Sequence, residues 1–163
     1  MKKIFGLLVL LYISTAAVLP VAAQSPGDDT SKASELEAVI NTSVINYAQA
    51  AYFVLSSAYA VSGRNSDVNQ DTAFNSALEH GWLSKKAAAD APIKLGALSF
   101  LIMKSFNMKG GFLYAIFPGS RYAFRELVSL NIIQGVADPS MTISGERFLL
   151  ILGNALKIME DKS

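Results

Sequence analysis

Hydrophobic positions recur along most of this chain at steps of three and four, and no stretch sustains the alternation expected of a strand. The pattern predicts an all-α chain. Residues 46–61 place Ala50, Ala51, Val54, Leu55 and Ala58 on one stripe, with Gly63 positioned to end the helix. Residues 94–108 place Leu98, Leu101, Ile102 and Ser105 on another; Pro92 lies near the start and Gly110-Gly111 is the expected stop. Four further helices are predicted. They cover 34–40, with Ser34 and Glu37 at capping-box spacing, 72–80, 121–130 with Ser120 as cap, and 145–159 with Ser144 as cap.

The apolar positions also repeat at long range. A shift of 50 residues lays Ala73-Phe74 on Ala123-Phe124, Trp82-Leu83 on Ile132-Ile133, Ile93 on Ile143 and Leu101-Ile102 on Ile151-Leu152 without a gap. Gly81 falls on Asn131, and these are the two residue types that best accept the left-handed conformation just past a helix end. A shift of 48 adds a partial third copy, with Ile45 on Ile93 and Tyr52 on Phe100. The expected architecture is a compact bundle of about six helices in three helix-loop-helix units, near 34–62, 71–110 and 119–160, the first degenerate.

The N-terminal 23 residues stand apart from this pattern. Lys2-Lys3, the apolar run from Ile4 to Leu11 and the small residues Ala22-Ala23 have the layout of a secretory signal, so export to a periplasm or the cell surface is expected, with cleavage after Ala23. Ser14, Thr15 and Pro20 interrupt the run, which argues against a span needing about 20 continuous apolar residues. Residues 24–33 are polar and turn-forming and are expected to be a flexible leader. The whole chain carries 14 basic and 13 acidic residues, and loss of the signal removes two lysines. A net charge near zero gives no support for binding nucleic acid or anionic lipid. Cysteine is absent, which excludes a disulfide scaffold, a thiolate metal site, a cysteine nucleophile and a lipidated cysteine.

The segment Ala123-Phe124-Arg125-Glu126-Leu127-Val128-Ser129-Leu130-Asn131-Ile132-Ile133-Gln134-Gly135-Val136-Ala137-Asp138, followed by Thr142-Ile143-Ser144-Gly145-Glu146-Arg147-Phe148, resembles the S-layer homology (SLH) repeat. That family has a helix ending in Leu-Gly-Ile-Ile-x-Gly, a loop containing Asp, and a second helix opened by Ile-Thr-Arg-Ala-Glu-Phe. The resemblance implies three such repeats and noncovalent attachment to cell-wall polysaccharide or peptidoglycan. In this chain the Thr-Arg-Ala-Glu positions hold Ser144-Gly145-Glu146-Arg147 in the last unit and Lys94-Leu95-Gly96-Ala97 in the one before. Glu146 and Arg147 are therefore candidate ligand contacts.

The residues offer little for catalysis. His80 is the one histidine and lacks the partners that a general base or a metal site needs, so it is read as a helix-end residue that suits the helix dipole. Asp67, Asn69 and Asp71 have the opening spacing of a calcium loop, but Thr72 stands where glycine is required and Leu78 where a bidentate carboxylate is required. A solvated loop with Asp71 capping the next helix is the preferred reading. No cofactor is implied, and the chain is expected to be a noncatalytic interaction protein. The most unusual stretch is 106–124, with six aromatic residues among Gly110, Gly111, Pro118, Gly119 and Arg121. Phe112, Phe117 and Phe124 are expected in the core, whereas Tyr114, Arg121, Tyr122 and Arg125 are candidates for an exposed site. The alternative to glycan binding is an assembly subunit that grips another envelope protein through 112–125.

Overall fold

Seven helices form among the residues described by the computed structural model, which are 26–64 and 68–161. The expected signal at 1–23 lies outside them. Helix α1 (Pro26–Ile40) starts well before Ser34 and takes in most of the segment expected to be a flexible leader. Proline at its first position forfeits no hydrogen bond, because that N–H would be unpaired in any helix. Helix α2 (Tyr47–Val61) is capped reciprocally by Asn46 and Gln49. Helix α3 (Gln70–Glu79) is capped the same way by Asn69 and Thr72, so the cap is Asn69 and not Asp71, which sits in the first turn.

Helix α4 (Leu95–Ser105) ends earlier than expected. The stop is Asn107, at φ 48°, and not Gly110-Gly111. Helix α5 (Phe112–Ile116) was not expected, and it raises the helix number from about six to seven among the described residues. Helix α6 (Ser120–Ser129) takes Ser120 as its first residue, preceded by Gly119, which cannot provide a side-chain cap. Helix α7 (Gly145–Glu160) begins as expected, with the Ser144 hydroxyl accepting from the Arg147 amide.

Four helices end in one way. After α3 the amide of Trp82 donates to the Ala77 carbonyl, and after α6 the amide of Ile132 donates to Leu127, with Gly81 and Asn131 left-handed at φ 69° and 59°. The pattern recurs at Met108 to Met103 across Asn107 and at Arg64 to Tyr59 across Gly63. In each case the residue with positive φ turns the backbone so that carbonyls of the last turn gain partners.

The helix starts are joined in a ring. The amide of Ile93 donates to the Ile45 carbonyl at 3.0 Å, and that of Ile45 to the Ile143 carbonyl at 3.0 Å. Short antiparallel bridges pair Asn46 with Pro92 and Lys94 with Thr142. Tyr47 and Ala48, which open α2, donate to the carbonyls of Ala91 and Ala89; Leu95 and Gly96, which open α4, donate to those of Met141 and Pro139. The donors are 48 residues apart and the acceptors 50, the shifts that relate the apolar patterns. Gly145, opening α7, donates to Thr42 and completes the ring. N–H groups at the helix starts are thus satisfied by loops distant in sequence, which explains how α4 begins at Leu95 without a side-chain cap from Lys94.

Ile45, Ile93 and Ile143 are all buried beside this ring. Below it, α2 packs on α3, α4 and α7, and α4 packs on α6. Leu55, Leu98, Leu101, Ile102, Leu127, Phe148 and Ile151 fill the centre, so the apolar stripes read from the sequence are the core faces.

Candidate functional site

A groove of about 740 Å³ opens where the start of α4 meets α6 and the loop before α7. Lys94, Gly96 and Ala97 come from α4 and its cap. Ser120, Arg121, Phe124 and Arg125 come from α6, and Asp138, Pro139 and Ser140 from the loop; Tyr47 closes one end. Arg121 and Arg125 are one helical turn apart and both exposed, so their guanidinium groups share a side of α6. Lys94 faces the same space from the ring. Three cations therefore line the groove against one carboxylate.

That carboxylate is engaged locally. Asp138 accepts from the amide of Ser140 at 2.8 Å and from its hydroxyl. The hydroxyl bond first, and then the amide bond, hold its carboxyl below the ordinary value of 3.8. It stays ionised and pins the loop whose Pro139 and Met141 carbonyls receive the α4 amides. The close approach of α4 to this loop depends on Gly96, where a Cβ would lie 3.1 Å from the Pro139 oxygen.

The structure divides the candidates read from the sequence. Arg121 and Arg125 line the groove. Tyr122 lies outside it, half-buried, with its ring stacked against Phe117 at 6.3 Å between centroids. Glu146 is exposed and is not among the groove residues. Arg147 works within the fold: its guanidinium donates to the carbonyls of Val136 at 2.7 Å and Gln134 at 3.3 Å, clamping the loop after α6.

Tyr114 is a correction. It is only 7% exposed, and its hydroxyl is buried without a hydrogen-bond partner. Its ring rests on Gly110, where a Cβ would collide with the Tyr114 ring carbons. Phe112 and Phe117, expected in the core, are instead 77% and 60% exposed. The cause is the docking of α5: Tyr114 is the inward anchor, which leaves Phe112, Leu113, Ile116 and Phe117 on the outside. Phe124 is half-buried and forms part of the groove wall. Lys94 and Tyr47 are groove residues that the sequence reading did not single out as a site.

His80 is the residue that caps the end of α3, with Nδ1 2.8 Å from the Ser76 carbonyl oxygen and its ring 4.8 Å from that of Trp82. Of the weak calcium-loop candidates, the Asn69 side chain caps α3, Asp71 sits in its first turn, and Asp67 lies outside the described residues. Among the described residues no group of three or more His, Asp or Glu is placed to hold a metal ion. No described helix is long and apolar enough to cross a membrane.

Compared with family models, curated proteins and solved structures, the chain matches none.

Proposed function

We propose that this protein is an exported, noncatalytic module of the cell envelope, built on SLH-like repeats, that binds cell-wall polysaccharide or peptidoglycan in the groove between α4 and α6. The observation that carries the reading is the convergence of Lys94, Arg121 and Arg125 on one open groove walled by the ring of Phe124. Cationic side chains suit the carboxylates of an acidic glycan, and guanidinium groups form charge-assisted bonds to them. An aromatic wall provides an apolar surface for sugar C–H faces. The SLH resemblance places a glycan-gripping arginine at the start of the second helix of a unit, a position this chain fills with other residues. Arg121 and Arg125 supply the same chemistry from the first helix of the last unit. The matching helix ends and ring bonds at shifts of 48 and 50 support the repeat reading.

The test is co-sedimentation of the full chain with purified cell-wall sacculi. Retention at micromolar concentration is expected, and replacing the guanidinium in Arg125→Ala is expected to weaken it at least about tenfold, as loss of a bond to a charged group does. A chain that stays in the supernatant overturns the reading, as does an Arg125→Ala variant retained as well as the parent.

A further inference from the structure

Beside the groove, the α5 tip carries a surface that glycan binding does not use. At roughly 100° per residue, Phe112, Ile116 and Leu113 fall within an arc of about 100°, with Tyr114 on the inward side and Phe117 following at the C-cap. Their exposures are 77%, 49%, 46% and 60%. Three large apolar side chains on a five-residue helix and a fourth, Phe117, at its C-cap are held out by one buried anchor and form a patch of the kind that marks an interaction site.

Charge identifies its occupant. Residues 104–125 contain Lys104, Lys109, Arg121 and Arg125 and no aspartate or glutamate, whereas the rest of the chain has ten basic residues against thirteen acidic. The near-zero net charge of the whole chain conceals this. The nearest acid in sequence, Glu126, is half-buried close to Gly111 and, after burial, adds to the raised pKa of Tyr114. A patch of phenyl and aliphatic groups, on a segment whose charged residues from 104 to 125 are all basic, suits the boundary of an anionic bilayer: acyl chains beneath, phosphate above.

We propose that the α5 tip inserts Phe112, Leu113, Ile116 and Phe117 into the interface of an anionic lipid bilayer, with Lys109 at headgroup level. Size disfavours a protein at the same place. At these exposures the four side chains offer roughly 400–500 Å², short of the about 800 Å² per partner that a stable protein interface needs. The insertion is peripheral and requires no spanning helix.

Because the chain has no cysteine, the Phe117→Cys and Phe112→Cys substitutions each give a unique thiol for an environment-sensitive dye. Both sites are exposed, so folding is retained and is checked by circular dichroism. The full chain is mixed with phosphatidylglycerol/phosphatidylcholine vesicles and, separately, with phosphatidylcholine vesicles. The expected result is a blue shift at both positions, quenched by lipid-borne quenchers, with the mixed vesicles and not with the neutral ones. No shift is expected for a dye at Glu79→Cys, at the exposed end of α3. Adding Lys109→Glu should raise the lipid needed for half-maximal shift about fivefold or more.

A dye at Phe117→Cys that ignores anionic vesicles overturns the proposal, and so does an equal shift at Glu79→Cys. Protection of the dye by self-association or by an envelope protein, without a vesicle response, also overturns it and assigns the patch to that partner. The vesicles contain no glycan, and neither Phe112, Phe117 nor Lys109 lines the groove. Failure here therefore leaves the sacculus result untouched, and the reverse holds.

Discussion

The amide of Ile45 donates to the carbonyl of Ile143, tying the start of α2 to the loop that opens α7. The bond closes a ring whose third member is Ile93. All three side chains are buried, and each lies between a loop and the helix that follows it. Removing volume at one of them loosens two units together.

Ile93→Ala is accordingly expected to destabilise the protein by about 2–5 kcal/mol, the range for truncating a fully buried isoleucine. Urea denaturation followed by circular dichroism measures it. A loss below about 1 kcal/mol would mean that the ring tolerates a cavity and is not a packing centre.

Two glycines in α7 are expected to respond to alanine with opposite sign. At Gly145 a Cβ would overlap the backbone carbonyl of Val39, so Gly145→Ala must separate α7 from α1 and costs about 1–3 kcal/mol. At Gly153 a Cβ would meet nothing within 4 Å, and the residue is exposed inside a helix. Gly153→Ala is expected to stabilise by about 0.5–1 kcal/mol through helix propensity. Thermal melts of the two variants should move apart in opposite directions.

Alkaline pH is expected to weaken the fold through buried phenols. Burial, and then the negative charge of Glu126, raises the Tyr114 pKa above its ordinary 10.0, and burial raises that of Tyr47. The folded chain then holds protons that the unfolded chain releases. This contribution is complete below pH 10 and is lost as pH rises through the folded pKa. Tyr114→Phe removes one of the two phenols, so its stability should fall less steeply above pH 10 in urea titrations. At neutral pH the variant should be at least as stable as the parent, because an unpaired buried hydroxyl costs about 1–3 kcal/mol.

Much of this architecture was legible because it rests on local signals. Helix periodicity located the core faces of α2 and α4, the 50-residue shift carried the latter onto α7, and the correspondence of Gly81 with Asn131 identified two helix ends by backbone conformation alone. Asn107 carries the same signal as Asn131 but was masked by the more conspicuous Gly110-Gly111. The error at α5 has another origin. Aromatic residues in a short segment are apolar on either side, and which ones turn inward is decided by where Tyr114 finds room over Gly110. That is a tertiary fact. The groove was half visible: Arg121 and Arg125 stood out by residue type, whereas Lys94 joins them only because α4 starts beside the loop of the next unit. Arg147 attracted a binding role by its charge, yet its donors are occupied by the carbonyls of Gln134 and Val136.

The ring of helix starts also bears on the order in which the chain can mature. It is made by segments near residues 45, 93 and 143, so the last partner is supplied only when the residues around 143 have been made. Contacts so distant along the chain form slowly, because the intervening loop must close before any of them is rewarded. Until Ile143 reaches Ile45, the amides at the start of α2 and α4 can find at most part of their partners. A nascent chain is therefore held short of its final topology, and docking of the segment around Ile143 acts as the latch.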